Sequence, residues 1–142
     1  MNTTQDNTSR EGGAGSLDTA AARAERGTAG WEDAARLQRW ATADHADFYA
    51  LAGEVVRTLD ALDDLARVLG RQVAGYAQGR AVYDDTREVD PRVRLTDAVA
   101  ELAQLSNALF VAERAANRFW SAIGHIGVDS TDTPSKGTGG AR

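Results

Sequence analysis

The sequence predicts an all-α fold: a long antiparallel helical hairpin, coiled-coil-like in its spacing, preceded by a short helix and dimerising into a helical bundle. Three features predict it. Apolar residues recur at alternating steps of three and four along two long stretches, the spacing of a helix seam that meets another helix. A short polar loop carrying Pro91 divides the two stretches. The apolar residues also spread wider than one seam, which is what asks for a further copy.

The first stripe reads Phe48, Ala52, Val55, Leu59, Leu62, Ala66, Leu69, Val73 and Tyr76. The second reads Leu95, Ala98, Leu102, Leu105, Leu109, Ala112, Ala116, Phe119, Ile123 and Ile126. Around them the chain divides into a disordered tail over 1–30, a helical domain over 31–128 and a second tail over 129–142. Both ends are rich in Gly, Ser and Thr and offer little apolar surface to offset chain entropy. Trp31 to Ala41 reads as a short helix with Trp31, Leu37 and Trp40 on its apolar side. The heptad phase breaks near Thr42 to His45, and Thr42 and Asp44 are acceptable caps for a new start.

The long helix is expected from Asp44 to near Tyr83, with Gly75 and Gly79 one turn apart inside it, either as a smooth groove or as tolerated surface positions. Asp90 before Pro91 is a strong helix start, because proline forces the preceding residue into extended geometry and suits the first helical position. The last helix then runs to about Ile123 and stops at Gly124 or Gly127, where glycine supplies a left-handed cap. Folding the pair antiparallel sets Val55 and Ala52 opposite Phe119, Leu62 opposite Ala112, and Tyr76 opposite Ala98. Large residues then face small ones. Leu51, Val56, Leu65 and Val68 lie off the first seam, and Val99, Phe110 and Trp120 off the second. Trp31, Trp40, Phe110 and Trp120 are the expected interaction face, turned toward a second copy or another protein.

Composition narrows the function. The chain has no cysteine, which excludes disulfides, thiolate metal sites and a cysteine nucleophile. No apolar run approaches the roughly 18 residues of a membrane span, and the first residues lack a signal-peptide pattern, so a cytoplasmic protein is expected. The net charge of −5 argues against a simple phosphate-binding surface. Lysine occurs once, at Lys136, and alanine is abundant, a bias of GC-rich, actinobacterial-like genomes. The arginines therefore need other evidence before they are read as phosphate ligands.

Few residues offer chemistry. His45 lies at a helix start with no Glu-x-x-His pair around it, so no metal site and no cofactor are expected. Asp60, Asp63 and Asp64 with Arg57 and Arg67 have the spacing of a solvated, ion-paired helix face. Arg87, Arg92 and Arg94 cluster at the loop, but Glu88 and Asp90 interrupt them and no aromatic platform accompanies them. No small-molecule substrate is evident.

Two resemblances rest on short motifs. Arg118 followed by His125 is similar to the active-site motif of HEPN ribonucleases, small all-α proteins whose motifs meet in a dimer. That resemblance implies that Arg118 stabilises a phosphate and that His125 moves a proton. This chain has Phe119 where that family usually has a polar residue, and both side chains also suit a helix C-terminus electrostatically. The hairpin length resembles small actinobacterial type VII secretion substrates, although the turn holds Tyr83-Asp84-Asp85 and no Trp-x-Gly. The reading taken is a non-enzymatic helical interaction or structural protein acting through an apolar helix face. An accessory nucleic-acid protein of a mobile element and a HEPN-like ribonuclease are the alternatives.

Overall fold

The computed structural model describes residues 18–127. Three helices form its regular structure: α1 (Ala20–Gln38), α2 (His45–Ala74) and α3 (Pro91–Gly124). The chain divides into two units, one reaching to Thr42 with α1 and one from Ala43 with α2 and α3. Residues 1–17 of the expected N-terminal tail and the whole expected C-terminal tail over 129–142 lie outside the described residues.

α1 starts well before Trp31, so residues 20–30 are helical where the sequence suggested a tail. Its start is secured locally. The Thr19 hydroxyl accepts the Ala22 amide at 3.1 Å, and Asp18 accepts both Arg23 and Arg26. Alanine, arginine and glutamate are strong helix formers, and they outweigh Gly27 and Gly30, which face open space. The expected break between a short and a long helix is present, with Asp44 capping α2 by accepting the Ala46 amide at 3.1 Å.

α2 ends at Ala74 rather than near Tyr83. Gly75 caps it and Gly79 takes φ 67°, a left-handed conformation that glycine adopts without steric cost. These two glycines therefore turn the chain instead of forming a groove within a helix. At α3 the expected start holds: Asp90 accepts the Arg92 amide at 2.8 Å, and Pro91 is the first helical residue. The stop at Gly124 also matches, but by a different device. His125 caps the helix with φ −98°, and among the described glycines only Gly79 has positive φ.

α2 and α3 pack antiparallel, and the line along which they meet differs from the expected seam. On α2 the covered positions include Ala52, Val56, Leu59, Asp63, Ala66, Gly70 and Val73, again in steps of four and three. On α3 they include Val99, Leu102, Ser106, Leu109, Glu113, Ala116 and Trp120. Every second member is displaced by one residue from the stripe that apolarity selects. Val55, Leu62 and Leu69 remain 38%, 44% and 39% exposed, and Leu105 and Phe119 about half exposed. The seam instead uses small and polar residues. The Ser106 hydroxyl donates to Asp63, and Asn117 donates to Glu113 at 3.1 Å. Glu113 borders the seam, and Asp63 is not part of a purely solvated face.

Trp120 is likewise not an outward residue. Its ring sits against Gly53, where an added Cβ would meet Trp120 Cζ2 at 3.3 Å. It stacks at a tilt on Tyr49, centroids 5.5 Å apart, and Tyr49 in turn fits against Gly124. Each helix thus supplies a glycine for the other's aromatic ring. His45 Nε2 donates to the Ile123 carbonyl at 2.6 Å, which fixes the proton on that nitrogen and satisfies a helix-end acceptor. Histidine at this position closes the open end of the hairpin and is partly buried, not a solvent-exposed first-turn residue.

Two glycine substitutions separate packing from helix propensity. Gly53→Val should lower unfolding stability by about 1–3 kcal/mol through overpacking against Trp120. Gly70→Ala meets nothing within 4 Å and should raise it by up to about 1 kcal/mol. Urea midpoints followed by circular dichroism distinguish the two.

Candidate functional site

The arrangement of the seam dictates what the hairpin shows to its surroundings. On both helices the residues that precede alternate seam positions fall on one side: exposed Val55, Leu62 and Leu69 on α2, and exposed Leu105 and Phe119 with partly buried Ala98 and Ala112 on α3. In an antiparallel pair, positions with the same offset from the seam fall on the same side. The two stripes therefore form one face of the hairpin. None of their residues is charged, and outward of them Leu65 adds a further 41% exposed side chain.

The opposite side carries Asp60, Arg67, Ala103 and Phe110. Phe110 is 54% exposed, with the Arg114 guanidinium 5.8 Å from its ring centre. Of the expected interaction residues, then, Phe110 and Trp120 do not share a continuous surface. Trp120 is spent on the seam, and its buried indole Nε1 lacks an acceptor. Trp31 and Trp40 belong to the α1 unit, Trp31 within the helix and Trp40 just beyond it, 83% exposed. The apolar stripe itself was visible in the sequence, but as the seam. Its exposure follows from the tertiary packing alone.

Arg118 and His125 lie seven positions apart, about 10 Å along the α3 axis. His125 lines an open depression of about 400 Å3 with Tyr49, Asn117, Trp120, Ser121 and Gly124, and Arg118 is not among its lining residues. The structure does not bring the two together at one reacting centre. Among the described residues no three His, Asp or Glu side chains gather as a metal site requires, and no helix is long and apolar enough to cross a membrane.

The closed end holds a polar node that little in the sequence singles out. Asp84 is buried, its side chain 6% exposed, beside a depression of about 600 Å3 lined in part by Tyr76, Tyr83, Arg94 and Leu95. Its Oδ2 accepts the Thr86 hydroxyl and the amides of Glu88 at 3.2 Å and Val89 at 3.4 Å. Its Oδ1 accepts Arg94 Nε at 3.2 Å. The Thr86 hydroxyl foremost, then the two amides and Arg94, hold this carboxyl below the ordinary aspartate range against the opposing effect of burial. The Asp-x-Thr spacing is the available sequence signal, an aspartate able to fold the following backbone around itself. The same contacts draw Arg94 out of the basic cluster and leave Arg87 at φ 57° in the turn. The carboxylate's role here is to organise the loop.

A second acidic group is similarly occupied. Asp63, its side chain 17% exposed, accepts the Ser106 hydroxyl and Arg67, which together lower its pKa. Arg57 pairs with Glu54 instead of Asp60.

With this geometry in view, the chain matches no protein family, no curated protein and no solved structure. The functional reading therefore rests on the surfaces just described.

Because the folded-state pKa of Asp84 is depressed, its contribution to stability is present above the ordinary aspartate value of about 3.9 and is lost as pH falls through the lower folded value. Protection factors of the Glu88 and Val89 amides, measured by hydrogen exchange, should hold at pH 5 and collapse only below about pH 4. In Asp84→Asn they should already be reduced at pH 7, with a lower thermal midpoint.

Proposed function

We propose that this chain is a non-enzymatic helical interaction protein that works through the uncharged apolar stripe of its hairpin, by self-association or by binding another protein. One observation carries the reading. The hairpin leaves Val55, Leu62, Leu69, Leu105 and Phe119, alternate members of its apolar stripes, outside and admits Gly53, Asp63, Ser106 and Glu113 to the seam. Monomeric soluble proteins rarely leave contiguous apolar surface uncovered, and a patch of this kind marks a contact with another macromolecule. The coiled-coil-like spacing supports the same view, since heptad-spaced stripes on adjacent antiparallel helices form a flat two-helix layer suited to a further helical layer.

The polar groups favour no enzymatic reading. The Asp84 and Asp63 carboxylates are taken up by hydrogen bonds that order the loop and join the helices, and His45 caps α3. A general acid or base needs a free proton site within reach of a substrate. The two carboxylates are engaged by these donors, and His45 spends its Nε2 proton on the Ile123 carbonyl.

The reading is tested by tagging the full chain and its Leu62→Asp/Leu105→Asp variant, confirming equal helicity by circular dichroism, and capturing partners from the native host. Wild type should retain one or more proteins, its own untagged copy included, that the variant loses. Identical captured sets from the two would overturn the proposal.

A further inference from the structure

We infer that the occupant of the stripe is a second copy of this chain, with two hairpins stacked face to face about a two-fold axis parallel to their helices. The inference rests on the reading of the stripe as a contact surface and names what that surface contacts. Area is the first argument. Val55, Leu62, Leu65, Leu69, Leu105 and Phe119 are 38–50% exposed and all lie on one side of the hairpin. With the alanines between them they present roughly 500–600 Å2 per chain, so two copies bury about 1,000–1,200 Å2, which reaches the size that specific association requires.

Charge is the second. A chain of net charge −5 meets its own copy without repulsion only across a surface that excludes its acids. Neither stripe contains a charged residue, Asp60, Asp63 and Asp64 lie at the seam or beyond it, and Glu101, at the α3 position equivalent to Leu65, is the acid at the rim of the face.

Shape selects the arrangement. A two-fold axis along the helices leaves heights unchanged, so α2 lies over the partner's α3 at the register the hairpin already has. That sets Val55 near the partner's Phe119, Leu62 near the partner's Ala112 and Leu69 near the partner's Leu105. At Leu62 and the partner's Ala112 the large-to-small fit of the two stripes is then used between copies, because within one hairpin both stripes point the same way. Stacking α2 on the partner's α2 would instead oppose large residues to large ones and leave Ala98 and Ala112 facing alanines.

Two measurements on the full chain test this. Sedimentation equilibrium at micromolar concentration should give twice the 15.1 kDa chain mass. Leu62→Asp/Leu69→Asp should raise the dissociation constant roughly 30-fold or more, the scale of interface hot spots. Phe110→Asp, on the other side of the hairpin, should leave it unchanged. Since the chain has no cysteine, engineered thiols report without background. Mixed Leu62→Cys and Ala112→Cys chains should form a disulfide-linked pair under mild oxidation, while Leu62→Cys alone should not. A monomer, a larger assembly, or crosslinking of Leu62→Cys alone would overturn the inference. A monomer whose stripe still captures another protein would overturn the second copy and leave the contact surface intact.

Discussion

The close approach of α2 and α3 along a seam of small residues is the constraint on which the rest of the hairpin depends. Ala52, Gly53 and Ala66 on α2 let α3 come near enough for Trp120 to lie over Gly53 and for Ser106 to reach Asp63. A helix can turn only one strip of its surface toward a single neighbour. Once that strip is taken by small and polar side chains, the bulkier ones beside it must stand outside. The consequence is visible in the burial: among the described residues Ala52 and Ala66 form the fully buried apolar core, and no large side chain is fully enclosed. A two-helix unit of this kind holds its alignment well but encloses little apolar volume.

Polar contacts supply the alignment. At the closed end Asp84 gathers the loop and ties it to Arg94 in the first turn of α3. At the open end His45 holds the Ile123 carbonyl, and the Tyr49–Trp120 pair is clasped between Gly53 and Gly124. Between them the Asp63–Ser106 bond marks the register midway. A purely apolar seam could slide by a turn with little penalty, whereas these bonds are satisfied at one register only. The residues with most chemical potential in the chain are thereby committed to architecture, and what remains free is surface. That surface carries an uncharged apolar stripe on one side, and ion-paired residues with Phe110 on the other.

Features governed by neighbours in sequence were legible before the structure. Asp90-Pro91 and Asp44 started helices because capping and proline geometry are decided within a turn. The break ahead of α2 followed from a phase slip in the same local pattern. Local reasoning failed where two local signals competed. Gly27 and Gly30 hid the start of α1, although Thr19 and Asp18 were present to secure it. Gly75 and Gly79 were placed within α2, although Gly75 caps it in ordinary right-handed geometry and Gly79, beyond it, takes the left-handed position of the turn.

The sequence by itself determined that two long helices return on each other about a proline-bearing loop, and that each carries heptad-spaced apolar residues in excess of one seam. Only the tertiary structure decided which line becomes the seam. Two heptad stripes run side by side on each helix and share Ala52, Leu59, Ala66 and Val73 on α2, so periodicity is satisfied by either. Apolarity favours the stripe with Val55, Leu62 and Leu69, while close packing favours the one with Val56, Asp63 and Gly70. The choice depends on the shape and hydrogen-bonding groups of α3, including Ser106 and Trp120, many residues away in the chain. No count along α2 alone contains that information, and the exposed face of the molecule is its direct result.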